Sequence, residues 1–105
     1  MSDQTKTDQK TTLVVTAVPN PAEMPAVQEY LKGVLPLLQG AGGKLVKRLK
    51  VNKPIHGDPS GMVLVMDFDS AEAITKMFES DDYAALVPVR DRGFAEMNIL
   101  ITDEM

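Results

Sequence analysis

Seven side chains combine chemically capable types with positions from which they could act. His56 is the single histidine and the one side chain whose ordinary titration falls near pH 7. It sits in a segment punctuated by Pro54, Gly57 and Pro59, and as a base it would need a positioned partner, of which Asp58 is the one near in sequence. The plainer reading is a solvated loop histidine. Asp67 lies in an apolar run; a carboxylate held in an apolar cavity is pushed upward and can serve as a base. Its plainer role is an ion pair with Arg48. Asp67 and His56 are therefore the candidate catalytic groups. Arg48 and Arg90 could each stabilise an anion, and Arg90 could clamp a carboxylate bidentately, against a plain ion pair with Asp91 or Asp82. Tyr30 and Tyr83 fall on apolar stripes, where the ordinary outcome is a buried ring with a satisfied hydroxyl. Asn98 adds a hydrogen-bond donor. These five form the candidate ligand-binding set.

Much chemistry is excluded by composition. The 105 residues contain no cysteine, which removes disulfides, thiolate nucleophiles, iron–sulfur clusters and cysteine zinc sites. One histidine cannot make a paired-histidine metal site in one chain, and no metal or cofactor is expected. There is no phosphate loop, no GxGxxG and no GxSxG; without that elbow nothing supports a Ser-His-Asp triad. The seven methionines read as core filler.

Charge points the same way. The net charge of −4 is a poor match to a phosphate backbone. Residues 1–53 carry 8 basic and 4 acidic side chains, and residues 54–105 carry 3 and 11. Such a split reads as complementarity within the fold or between subunits rather than as a nucleic-acid footprint. No run approaches the roughly 20 apolar residues that span a bilayer, so no membrane partner is expected. Residues 1–11 are read as a disordered polar tail without signal or transit character, which makes the cytoplasm the default compartment. Residues 12–105 are read as one domain.

The elements that must position these groups follow from patterning. Thr12–Val18 is a β-branched run closed by Pro19, a strand. Asn20-Pro21-Ala22-Glu23 opens a helix with a cap, a first-turn proline and an acid three residues on. Met24, Val27, Tyr30, Leu31, Val34, Leu35 and Leu38 then form one apolar stripe. Pro36 should perturb the last turns, and Gly40, Gly42 and Gly43 end the helix. Lys44–Val51 is a second strand, 52–60 a loop, and Gly61–Asp69 a third strand. Asp69-Ser70-Ala71-Glu72 starts another helix; Ser80 begins a further helical piece, interrupted near Pro88. Ala95–Thr102 is the last strand. The order β-α-β-β-α-β is the ferredoxin-like arrangement, an α+β fold with a four-stranded antiparallel sheet under two helices on one face.

Alternation then sorts the faces. Met62, Leu64, Met66 and Phe68, with Met97, Ile99, Ile101, Leu45, Leu49 and Val51, are expected under the helices. Val14, Thr16, Val46, Arg48, Val63, Val65, Asp67, Glu96, Asn98 and Leu100 are expected on the other face. That face is too apolar to stay freely hydrated on a small monomer. A second copy of the chain is the simplest cover, and two sheets facing each other would close a barrel. The same strand order occurs in RNA-binding domains that display aromatics on the first and third strands. Thr12–Val18 has none and the third strand has only Phe68 on its helix side, so nucleic-acid binding is rejected.

With these residues in place, the chain resembles the domain-of-unknown-function 1330 family of the dimeric α/β-barrel superfamily. The likeness covers roughly Thr12–Thr102. It is carried by the strand leading into Pro21 and a helix with Tyr30 and Pro36; by Gly42-Gly43-Lys44 with Arg48 beyond; by Val65-Met66-Asp67-Phe68; and by Ser80-Asp81-Asp82-Tyr83 with Leu86 and Arg90. The chain departs from the family at Ala41, where histidine is frequent, and at Leu49 and Lys50, where glycines are. The resemblance implies a homodimer and a cavity between sheet and helices that binds a small molecule. It implies either a cofactor-independent monooxygenase- or isomerase-like enzyme or a non-catalytic dimeric interaction or regulatory module.

Overall fold

The computed structural model describes residues 11–57 and 61–105. Its elements are β1 (Thr11–Pro19), a 3-10 turn (Pro21–Glu23), α1 (Met24–Gly40), β2 (Lys44–Lys50), β3 (Met62–Phe68), α2 (Ala71–Phe78), α3 (Asp81–Ala84), α4 (Val87–Gly93) and β4 (Phe94–Thr102). The strands form one antiparallel sheet in the order β2-β3-β1-β4. The expected ferredoxin-like α+β fold is thus observed. Thr11, expected with the tail, is the first residue of β1; the rest of the expected tail, 1–10, lies outside the described residues.

The 3-10 turn, α2 and α3 each begin where a side chain satisfies a first-turn amide. Asn20 accepts from the Ala22 N–H at 3.0 Å, Ser70 from Ala73 at 3.2 Å and Ser80 from Tyr83 at 3.2 Å. Pro88 does not interrupt a helix; it stands in the first turn of α4, where its missing N–H costs nothing. Helix α1 runs on through Pro36 to Gly40. The chain then turns at Gly42, whose φ of +93° favours glycine. Gly43 follows because a Cβ there would lie 2.6 Å from Phe68 Cζ and 2.8 Å from the Leu38 carbonyl oxygen.

The core fills the space between α1 and one sheet face. Leu13, Leu38, Met66, Phe68 and Ile74 are at most 2% exposed. Alternation in β1, β3 and β4 falls as expected: Leu13 pairs with Met66 and Ile101, and Val15 with Leu64 and Ile99, all on the helix face.

Strand β2 departs from expectation. Leu45 pairs with Met66, but Lys47 pairs with Val65, leaving Val46 as an extra residue. Such a bulge inverts the alternation beyond it. Arg48 pairs with Leu64 and Lys50 with Met62, which places both on the helix face, while Leu49 pairs with Val63 on the open face. The assignments of Arg48 and Leu49 are therefore exchanged. Val51 lies past the strand end, its N–H donating to the Gly61 carbonyl at 3.0 Å. Among the described residues no helix is long and apolar enough to cross a membrane.

Candidate functional site

The apolar stripe of α1 does not close down fully on the sheet. Between Leu31, Val34, Leu35 and Leu38 on the helix and Val15, Ala17, Leu64, Met97 and Ile99 on the strands lies a cavity of about 390 Å³. That is within the range of small-molecule sites. Arg48 and Lys50 border it from β2, and Tyr30, Phe78 and Phe94 border it as well. No carboxylate and no histidine lines it among the described residues.

The aromatic end is fixed by side-chain contacts. Tyr30 meets Phe94 edge-on at 5.5 Å between ring centres, and Phe78 meets Tyr83 at 4.8 Å. The Tyr30 and Tyr83 hydroxyls lie 2.8 Å apart. Arg90 Nη1 donates to the Tyr83 oxygen at 3.2 Å, and Arg90 Nε donates to Asp91 at 3.1 Å. A chain of polar contacts thus runs from the half-buried Arg90 to the cavity-lining Tyr30. Burial, then the bond to Tyr83, pushes the Tyr30 phenol well above its ordinary value, so it remains a neutral donor at any physiological pH. Partial burial works against the Arg90 charge, but its bonds to Tyr83 and Asp91 prevail and hold it above the usual arginine value. Both tyrosines are thus buried and satisfied, and Arg90 forms the expected pair with Asp91. It also borders a second, more open recess of about 420 Å³ with Phe94 and Glu96.

The remaining candidates lie elsewhere. Asp67 is on the open face, where its Oδ1 accepts from Thr12 Oγ1 at 2.8 Å. Asn98 is on the same face, its Nδ2 donating to Thr16 Oγ1 at 3.2 Å. The bulge separates Asp67 from Arg48 across the sheet, so the two do not share a face as expected. His56 is exposed in the loop after β2 and does not line the cavity; Asp58, its nearest acid in sequence, lies outside the described residues. Among the described residues no group of acidic or histidine side chains could hold a metal ion.

Sequence reasoning missed Lys50 as a cavity residue, placing it only within the second strand. A signal was present: in Lys44–Lys50 the apolar residues are Leu45, Val46 and Leu49. Adjacent apolar residues break strict alternation, as a bulge does.

The open face carries its own pattern. Val65, Val14 and Leu100 stand in one cross-strand row with Lys47, and Leu49 and Val63 in the next with Thr16 and Asn98. Leu49 and Leu100 are 46% and 47% exposed.

Solved structures with this fold are numerous. A protein of unknown function from Rhodopseudomonas palustris matches at TM-score 0.78 and 14% identity, covering 98% of this chain and 90% of that one. A dabb family protein with a ferredoxin-like fold from Mesorhizobium loti matches at 0.66 and 16%, covering 93% and 99%. A protein of unknown function from Bacteroides fragilis, described as dimeric with a ferredoxin-like fold, matches at 0.62 and 9%, covering 90% and 96%. No curated protein matches the sequence. Residues 11–105 match the family described as Domain of unknown function (DUF1330).

Proposed function

This chain belongs to the DUF1330 family, and from that membership we propose that it binds a small, largely apolar molecule in the cavity between α1 and the sheet, as a homodimer joined through the open sheet face. The cavity of about 390 Å³, walled by aliphatic and aromatic side chains with few polar groups, carries the reading. We favour binding over acid–base catalysis because neither Asp67 nor His56 lines that cavity. An enzymatic version would instead draw on the Tyr30 phenol and Arg48.

The homodimer is supported by the two rows of aliphatic residues on the open face and by the dimeric description of the Bacteroides fragilis relative in fold. It leaves the cavity, on the opposite face, free for its ligand. A non-catalytic interaction or regulatory module is the second reading, favoured by that same aliphatic face if the cavity stays empty.

Fluorescence of the neutral apolar dye N-phenyl-1-naphthylamine tests the cavity. The dye is expected to brighten with wild-type protein and not with Leu35→Trp, which fills the space; equal brightening with both would reject this cavity. Light scattering tests the dimer: Val14→Asp is expected to halve the mass, since a dimer interface would bury the new charge. A wild-type monomer would reject the dimer.

A further inference from the structure

We propose that the cavity is selective for apolar molecules bearing one carboxylate, with the anionic head at Arg48 and Lys50 and the apolar body inward. This rests on the cavity-binding reading and adds the ligand's class and orientation.

The Val46 bulge is the origin. It turns Arg48 and Lys50 onto the helix face, in cross-strand rows with Leu64, Val15 and Ile99 and with Met62, Ala17 and Met97. Those are cavity-wall residues. Arg48 and Lys50 are two residues apart on one face, so their backbones are separated by roughly 6.6 Å. Two cationic side chains on one face of a strand repel, and an anion between them relieves the repulsion. Among the described residues neither forms an ion pair. They are also the only charged residues lining the cavity among those described. The protein as a whole is acidic, so this positive rim is local.

Exposure sets the orientation. Strand β2 is exposed along its whole length, whereas Tyr30 is only 4% exposed. A charged head is therefore best solvated at β2, and an apolar body gains most by lying inward. The alkyl stems of Arg48 and Lys50 extend the apolar wall to their charged ends. The competing explanation is that inward charges on β2 merely protect a sheet edge from pairing with other chains, which predicts no preference among head groups.

The test is displacement of N-phenyl-1-naphthylamine by octanoate, octanol and octylamine, each below its aggregation concentration. On wild-type protein octanoate is expected to displace the dye at about five-fold lower concentration than octanol, the scale of a partly exposed ion pair, with the advantage shrinking as salt rises. Arg48→Gln with Lys50→Gln should abolish the advantage, and Arg48→Glu with Lys50→Glu should transfer it to octylamine. Thermal melting confirms that the variants fold. Equal displacement by all three ligands on wild-type protein would overturn the head-group inference and leave the cavity reading standing. Dye fluorescence that no ligand changes and that persists in Leu35→Trp would overturn both.

Discussion

The hydroxyls of Tyr30 and Tyr83 lie 2.8 Å apart across 53 residues of sequence, and Arg90 donates to the second of them at 3.2 Å. Either hydroxyl can donate to the other, and the Tyr83 oxygen accepts from Arg90 in both cases. Each member polarises the next, as in other buried hydrogen-bond chains. The pair joins α1 to the short helices before β4 at the aromatic end of the cavity.

Removing both hydroxyls should cost less than the two single removals added together. Tyr83→Phe strips the buried Tyr30 hydroxyl of its partner, and a buried group left unpaired costs about 1–3 kcal/mol. The double change Tyr30→Phe with Tyr83→Phe leaves neither hydroxyl to satisfy. Urea unfolding of the single and double variants should give a loss for the double well below the sum of the singles; simple additivity would show that the two hydroxyls do not act together.

The same burial makes stability depend on alkaline pH. The folded state holds the Tyr30 phenol above its ordinary value of 10.0, so the unfolded chain releases that proton first. Stability from this group is intact below about pH 10 and falls as pH rises beyond it. Melting temperatures across about pH 8 to 11 should therefore decline more steeply for the wild type than for Tyr30→Phe. Parallel curves would exclude Tyr30 as the source.

The bulge assigns Leu49 and Arg48 to opposite faces, and oligomeric state should report it. Leu49→Asp places a charge among Val63 and Val65 and is expected to dissociate the proposed dimer as Val14→Asp does. Arg48→Glu is expected to leave the mass unchanged in light scattering. Dissociation by Arg48→Glu but not by Leu49→Asp would mean that β2 alternates without a bulge.

Gly43 is packed between the end of α1 and Phe68 of β3. Gly43→Ala forces its methyl group against the Phe68 ring and the Leu38 carbonyl, and overpacking of this kind costs about 1–3 kcal/mol. Gly40→Ala, with open space at its Cβ position, should match the wild type or exceed it in urea unfolding, since alanine favours the helix.

Local chemistry determined much of this protein without reference to its fold. Asn20, Ser70 and Ser80 announce helix starts because a side-chain oxygen satisfies an amide two or three residues away. Leu13, Met66 and Phe68 announce their shared face because alternation within a strand is a property of the backbone. Element order and the ferredoxin-like sheet follow from such signals. The two faces of β2 do not, because a bulge is a relation between strands: Val46 is extra only by comparison with β3, and Arg48 exchanged sides with Leu49 as a result. The Tyr30–Tyr83–Arg90 contacts likewise exist only where α1 meets the helices before β4. Each of these tyrosines was recognisable as a core residue, but the partner for its hydroxyl was decided by packing. The cavity beside them is the space that packing left between a helix stripe and a sheet face, a volume that no pattern of residue types along one chain can specify.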